Sequence, residues 1–362
     1  MKLTVPQESL AKALNIVSRV ASSRTTLPIL NNILLRAENG QLQLTATNLE
    51  IFIINSINCQ IKTDGVVTVP ANLLTEFITN LPKTNITIEN IENKLKISAG
   101  NYKSVINTTP NDDFPNIPNG KTKTKLEIDS KTMKSAVAQV AITASNDTTR
   151  PVLTGVYLHI FEGGLYMTAT DGYRLAERQI ISHDGEINTI IPTTTVSEVV
   201  RVISDDIKNI KLEISDEQVS FSVGSVNIIS RLIDGKYINY RQLIPSKSEN
   251  RVTLDKSEFI QAVKIAELFA RESAESIILK TNSANQTLSV SSIANEIGEN
   301  NSEIEAKIKG DGAITLNAKY LLAALNVIDG DEVKFDFSGK LAPSLVMGKN
   351  ENYKHIIMPV KS

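Results

Sequence analysis

The sequence predicts an α+β protein of three repeated domains, each with two helices packed on antiparallel sheet. Three observations predict it: an opening segment that returns twice, a constant offset of 123 residues between landmarks of the first two copies, and a second strand–helix element inside every copy. A chain of 362 residues is long enough for such a series, at roughly 100–200 residues per domain.

Each copy opens alike. KLTVPQESLAKALNIVSRV returns as KLEIDSKTMKSAVAQVAIT from Lys125 and as RVTLDKSEFIQAVKIAELF from Arg251. A short alternating strand comes first, with Leu3/Val5, Leu126/Ile128 and Val252/Leu254 in equivalent places. Helices are predicted over 7–20, 130–144 and 256–269. Their apolar residues Leu10/Ala13/Leu14, Met133/Ala136/Val137 and Phe259/Ala262/Val263 recur at i, i+3 and i+4, which places them on one helical face.

The match continues past the helix. Thr45-Ala46-Thr47 recurs as Thr168-Ala169-Thr170, and Phe114-Pro115-Asn116 aligns with Tyr237-Ile238-Asn239; with Leu3 and Leu126 these share the offset of 123. The middle elements are VTVPANLLTEFITNL, TIIPTTTVSEVVRVI and ITLNAKYLLAALNVI, with Leu74, Val196 and Leu321 in register. Alternating runs such as Ile86/Ile88, Leu212/Ile214 and Val333/Phe335/Phe337 read as strands. Asn39-Gly40, Asp234-Gly235 and Asp329-Gly330 read as turns. The third copy is looser, and Asn295 to Asn301 reads as an inserted loop. Domain boundaries are expected at 1–122, 123–249 and 250–362, with linkers near Asn119–Lys123 and Ser246–Asn250.

Composition narrows the function. Hydrophobic residues make up 41% and charged residues 22%, which argues against wholesale disorder. Thirty-eight Lys plus Arg against forty Asp plus Glu give a net charge of -2, which excludes a uniformly basic coat but not a local basic face. The single cysteine, Cys59, excludes an internal disulfide framework and a zinc site of several thiolates. Apolar runs such as Tyr320 to Leu325 are far too short to cross a bilayer, and the N-terminus lacks the apolar core of a signal peptide. A soluble, cytoplasmic, reduced protein without membrane association is expected.

No catalytic constellation stands out, so no enzyme activity, metal or cofactor is expected. Gly120-Lys121-Thr122 resembles the end of a phosphate-binding loop, but Pro115 occupies the required glycine position. Asp112-Asp113 and Asp205-Asp206 read as solvated turn acids, and Cys59 as a buried small residue. His159 reads as a sheet residue and His355 as an exposed one. A hydrolase would need carboxylates such as Asp171 and Glu177 to converge in space, and no spacing supports that.

The helices carry the more informative signal. Over the six predicted helices the net charge is +3, which leaves -5 for the remainder. Lys12, Lys131, Lys134 and Arg201 are the helix cations placed to face phosphates, with Arg24 and Arg150 just beyond first helices. Phosphate contacts of this kind give sequence-independent, salt-sensitive attraction. Ordinary solvated helix faces would give the same count.

Several motifs together resemble the bacterial sliding clamps, the beta subunits of DNA polymerase III. They are Arg24-Thr25-Thr26-Leu27-Pro28-Ile29-Leu30, Arg150-Pro151-Val152-Leu153-Thr154-Gly155, Thr168 through Ala176, DDFPNIP from Asp112, and Met358-Pro359-Val360. The resemblance covers essentially the whole chain. It implies a head-to-tail homodimer whose six domains close into a ring around double-stranded DNA, with helices inside and sheets outside. It also implies a non-enzymatic role, tethering the replicative polymerase by topology.

The resemblance further implies a partner-peptide cleft between the second and third domains for short linear peptides of polymerase and clamp loader. One part would be Leu153, Thr170, Gly172, Tyr173, Arg174, Leu175, Ile238, Gln242 and Leu243. The other would be Asn317, Tyr320, Pro343, Ile356, Met358, Pro359, Val360 and Lys361. Tyr173, Gln242 and Val360 depart from common family residues, which leaves the preferred peptide open. Arg24 and Arg150 match basic positions that touch DNA, whereas Asn72 and Thr193 replace residues that are often basic. At the seam of the ring, Phe77 and Ile106 would meet Leu268 and Phe269. Leu268 and Phe269 are adjacent on a helix and point about 100° apart, so a single core cannot easily bury both. A repeat-built binding or adhesion protein that never encircles DNA is the alternative.

Overall fold

The computed structural model describes residues 1–21, 27–118, 120–271, 274–294 and 298–360. The first repeat runs β1 (Lys2–Pro6), α1 (Gln7–Ala21), β2 (Asn32–Glu38), β3 (Gln41–Thr47), β4 (Ile51–Asn58), β5 (Gln60–Thr63), β6 (Gly65–Pro70) and α2 (Ala71–Thr79). It ends with β7 (Asn85–Ile91), β8 (Lys94–Ala99) and β9 (Tyr102–Asn107). The second runs β10 (Thr124–Asp129), α3 (Ser130–Val140), β11 (Gly155–Phe161), β12 (Gly164–Thr170), β13 (Arg174–Ser182), β14 (Asn188–Pro192) and α4 (Thr193–Val202). Then come β15 (Asn209–Ile214), β16 (Gln218–Val223) and β17 (Val226–Arg231).

The third repeat begins β18 (Asn250–Asp255), α5 (Lys256–Ala270), β19 (Ser276–Asn282), β20 (Thr287–Ala294), β21 (Gly298–Glu305), β22 (Lys307–Lys309) and β23 (Ala313–Asn317). It closes with α6 (Ala318–Val327), β24 (Glu332–Phe337), β25 (Ser344–Gly348) and β26 (Tyr353–Ile357). If β4/β5 and β21/β22 each count as one interrupted strand, all three copies share one order: strand, helix, four strands, helix, three strands.

The repeated apolar positions become core. Leu10, Ala13 and Leu14 of α1, Met133, Ala136 and Val137 of α3, and Phe259, Ala262 and Val263 of α5 are all buried, the outcome of an i, i+3, i+4 stripe. Asp255 caps α5 by accepting from the Glu258 N–H at 3.0 Å, and Asn317 caps α6 by accepting from Tyr320 at 3.2 Å. The Asn39-Gly40 turn joins β2 to β3 with φ of 53° and 75°, a pair suited to asparagine followed by glycine.

Two expectations are corrected. The helix expected over 130–144 stops at Val140, and Ala141–Thr143 forms a 3-10 turn. There the Thr143 hydroxyl lies 2.8 Å from the carbonyls of both Val140 and Ala169 and shares its one proton between them. The expected loop from Asn295 to Asn301 is strand from Gly298 onward, in register with β20 from Ala294↔Gly298 to Thr287↔Glu305. Its polar sequence hides the strand because β21 is an edge with a mostly solvated face. Residues 295–297 lie outside the described ones.

The chain forms two compact units. One comprises residues 1–130 and 197–232 and holds a five-stranded sheet (β5-β1-β7-β8-β9) and an eight-stranded sheet (β10-β15-β16-β17-β4-β3-β2-β6). The other comprises 131–196 and 233–362, with a nine-stranded sheet (β14-β11-β12-β13-β26-β25-β24-β18-β22) and a four-stranded sheet (β21-β20-β19-β23). Antiparallel pairing joins successive repeats within each large sheet, β17 to β4 in the first and β13 to β26 in the second.

Candidate functional site

The described residues expected to line a peptide cleft lie within the second unit, where β13 pairs with β26. Leu175 stands opposite Ile356 in register, and both are 2% exposed. They pack with Ile190, Tyr237, Tyr240, Leu345 and Met347, bordered by Val152, Tyr157, Ile233 and Ile244. Leu153 and Thr170 are also buried. The side chains of these four expected site residues are therefore already committed to packing.

The turn between β12 and β13 forms a rim. The Thr170 hydroxyl donates to the Arg174 carbonyl at 2.6 Å and accepts from the Gly172 N–H at 3.0 Å. Asp171 Oδ1 accepts from the N–H groups of Tyr173 and Arg174 at 2.9 and 3.0 Å. Gly172 has φ +94°, a conformation a side chain would strain. This turn leaves Tyr173 63% exposed. The Met358 N–H donates to the Tyr173 carbonyl at 2.9 Å, and the Val360 N–H to Thr315, also at 2.9 Å.

Arg174 donates from Nε to Asp171 Oδ2 at 3.0 Å and lies over the Tyr320 ring, 4.5 Å from its centroid. Tyr320 lies in the first turn of the helix that Asn317 caps. The half-buried Pro343 precedes Ser344, whose hydroxyl donates to the Ile357 carbonyl at 3.0 Å. Met358, Pro359 and Val360 are half-buried, while Ile238, Gln242 and Leu243 are exposed on the segment after β17. Apolar side chains held partly out of the core by a fixed backbone suit capture of a short apolar peptide. Lys361 lies outside the described residues.

Strand β26 is anchored from beneath. His355 is fully buried, contrary to the exposed position expected, because strand alternation turns it inward beside the outward Lys354. Its Nδ1 lies 2.7 Å from the Tyr353 hydroxyl. Burial, and secondarily the Arg174 charge, push its pKa down to about 3. Gln139 of α3 donates to the Val327 carbonyl at 3.0 Å and to Asp329 at 3.2 Å.

The expected DNA-facing cations sit on helix surfaces or just beyond them. In the first unit, Lys12 is exposed on α1, and Arg201 is exposed in the last turn of α4, paired with Glu198. In the second unit, Lys131 is exposed in the first turn of α3 and Lys134 is half-buried. Arg150, also exposed, pairs with Asp147 at 3.2 Å. Arg24 lies outside the described residues. The observed helix bounds keep the charges counted from the sequence.

Of the expected seam residues, Leu268 is 54% exposed on α5, and Phe269 and Phe77 are half-buried. Ile106 is only 4% exposed, whereas its neighbour Val105 is 55% exposed and offers more apolar surface on that strand. Among the described residues no group of His, Cys, Asp and Glu could hold a metal ion, and no helix is long and apolar enough to cross a membrane. Glu177 does not join Asp171, which serves the β12–β13 turn and Arg174; Glu177 pairs with Arg241. Cys59 is half-buried, and burial pushes its thiol pKa up.

Sequence reasoning missed Asp171 and Thr315 as hydrogen-bond partners of the expected site residues, and the meeting of Tyr240, Glu177 and Arg241. The repeat had marked Tyr237 as the counterpart of Phe114, and both are buried.

Residues 1–118, 127–239 and 241–361 match, in turn, the N-terminal, central and C-terminal domains of the DNA polymerase III beta subunit. The chain is 31% identical to the beta sliding clamps of Staphylococcus aureus and Staphylococcus epidermidis over 376 aligned residues, which span 100% of each chain. Among solved structures it is similar to the DNA polymerase sliding clamp of Bacillus subtilis, with 30% identity, TM-score 0.95, and coverage of 100% of this chain and 99% of that one. It is also similar to a DnaN sliding clamp from Pseudomonas aeruginosa bound to griselimycin, with 27% identity, TM-score 0.95 and full coverage of both chains.

Proposed function

The chain belongs to the DNA polymerase III beta-subunit family of sliding clamps, and we propose that two copies join head to tail into a ring that threads duplex DNA. The ring keeps the replicative polymerase on its template by enclosure. Its work is holding, with no covalent chemistry, and its place is the cytoplasm.

The observation that carries this reading is a pair of unpaired sheet edges of opposite charge. β9 ends the five-stranded sheet and presents Lys103, with Lys94 and Lys96 on the neighbouring β8. β21 ends the four-stranded sheet and presents Glu299, Glu303 and Glu305. Long exposed edges invite pairing with another chain. A heterologous contact between two different edges closes a ring when the rotation suits. The exposed Leu268 on α5, with Ile260 and Ile265, adds apolar surface in the unit that carries β21. The alternative of a non-encircling adhesion protein offers no reason for these matched edges.

Light scattering tests the assembly. The unaltered protein is expected at the mass of a dimer, and Leu268→Ala with Phe269→Ala is expected to shift it toward monomer. An unchanged mass would remove the seam.

The cleft on the second and third repeats takes polymerase and clamp-loader peptides in this reading, and griselimycin is expected to occupy it. Leu175→Ala is a poor probe, because removing so buried a leucine costs about 2–5 kcal/mol of stability in itself. Met358→Ala with Leu243→Ala is preferable, with an expected loss of roughly 2–4 kcal/mol in griselimycin binding if both are anchors. An unchanged titration would refute the cleft. The three repeats correspond, on this reading, to domains 1–122, 123–249 and 250–362.

A further inference from the structure

The segment Tyr237–Leu243 crosses one face of the β11–β12–β13 sheet, and its residues divide into two sets. Tyr237 and Tyr240 are buried and Arg241 is partly so, while Ile238, Asn239, Gln242 and Leu243 are exposed. Three of the exposed set are cleft residues. The inward set meets two cross-strand groups on the sheet: Tyr157, Thr168 and Glu177, then His159 and Tyr166.

The contacts of the inward set are specific. Tyr237 stacks on Tyr157 with centroids 4.6 Å apart. The Tyr240 hydroxyl gives its one proton to Glu177 Oε2 in a short hydrogen bond. It accepts from the Thr168 hydroxyl at 3.0 Å. His159 Nε2 lies 2.7 Å from the same oxygen and must be the donor there, because the tyrosine proton is already committed. Arg241 spreads over the rings of Phe161 and Tyr166, 3.6 and 4.6 Å from their centroids. Its Nη2 stands 3.0 Å from Glu177 Oε2.

Glu177 is 2% exposed. A carboxylate so buried is weak support for stability, because its desolvation offsets most of the attraction to its partner. What such a pair does supply is one geometry out of many. Two inward groups of the strap, the Tyr240 hydroxyl and the Arg241 guanidinium, converge on Glu177, and Tyr237 adds its stack on Tyr157.

We propose that Glu177, Tyr240 and Arg241 are positioning residues that latch the Tyr237–Leu243 strap to the sheet, so that Ile238, Gln242 and Leu243 meet an incoming peptide in a preset arrangement. The inference rests on the cleft reading above and extends it to residues that touch no ligand. Without the latch the strap would have to be ordered at the moment of binding, and that ordering is subtracted from affinity.

The test uses the full-length protein with griselimycin as probe. Cys59 is the only cysteine, so a Cys59→Ser background with Asn239→Cys carries one nitroxide on the outward side of the strap. Tyr240→Phe keeps the ring and removes the hydroxyl. It is expected to mobilise the nitroxide spectrum and to weaken griselimycin about tenfold, with Met358→Ala as the direct-contact control. Arg241→Lys keeps the charge without the planar stack and serves as the second variant should Tyr240→Phe fold poorly. A nitroxide equally immobile in Tyr240→Phe overturns the latch. So does unchanged griselimycin affinity in Tyr240→Phe when Met358→Ala is weakened. If the unaltered protein does not bind griselimycin, or Met358→Ala binds as well as the unaltered protein, the cleft reading itself falls and the latch with it.

Discussion

Arg174 and Tyr320 join the second repeat to the third: the guanidinium from β13 lies 4.5 Å from the centroid of the tyrosine ring at the start of α6. Asp171 holds the other side of Arg174 through Nε at 3.0 Å, and the arginine and aspartate side chains are each 16% exposed. A double-mutant cycle with Arg174→Ala and Tyr320→Ala should show a coupling of about 1 kcal/mol in urea unfolding. Arg174→Lys should retain little of it, since the planar fork both stacks and donates. Additive single effects would mean that the ring and the cation merely lie near each other.

The opposed charges of β9 and β21 allow a charge-swap experiment. Lys103→Glu and Glu303→Lys are each expected to shift the protein toward monomer. Mixing the two should restore the dimer, because a heterodimer then places unlike charges at both seams. Sedimentation of the single variants and of the mixture reads the outcome. A mixture no more dimeric than its components would exclude pairing of these edges.

Enclosure and adhesion differ on DNA. Protein loaded on nicked circular DNA should remain bound and should be lost when the circle is cut, as followed by gel filtration. Lys131→Ala with Lys12→Ala should lower the salt dependence of loading by about two charges and leave retention on the closed circle nearly intact. Equal retention on linear and circular DNA would contradict the ring.

Two buried histidines predict loss of stability in weak acid. Burial, and secondarily the Arg241 charge, lower the His159 pKa from 6.5 to about 4, and His355 falls to about 3. The unfolded chain therefore takes up protons first, and stability declines as pH drops below about 6.5 toward these values. At pH 5 the two together should cost roughly 4 kcal/mol relative to pH 7.5. His355→Gln should flatten this decline by about half over that window, measured by urea unfolding. An unchanged slope would mean that His355 titrates normally.

Much of the architecture was legible because the chain repeats itself. Leu10, Met133 and Phe259 announce three helices by the same spacing, and Leu3, Leu126 and Val252 three opening strands; each is buried. The illegible parts depend on context that one strand does not contain. Gly298 to Asn301 pairs as an edge strand, and a solvated edge needs no apolar alternation. His355 beside Lys354 looked like surface, yet strand alternation turns one inward and the other out. Among the residues that the resemblance assigns to a cleft, Leu153, Thr170, Leu175 and Ile356 are buried. The Tyr240–Glu177–His159 cluster could not be read from the sequence, because its members come from three separate segments and meet only after the sheet forms.

Both borders between successive repeats are sealed by main-chain ladders, β17 with β4 and β13 with β26. Prising one repeat from the next would rupture a row of backbone bonds together, leaving polar groups bare on both sides. Neighbouring repeats are also held within reach by the chain itself, so a border that opened would close again on the same partner. In the proposed ring the seam between two molecules lacks that tether, and a seam that parted would leave each polypeptide whole.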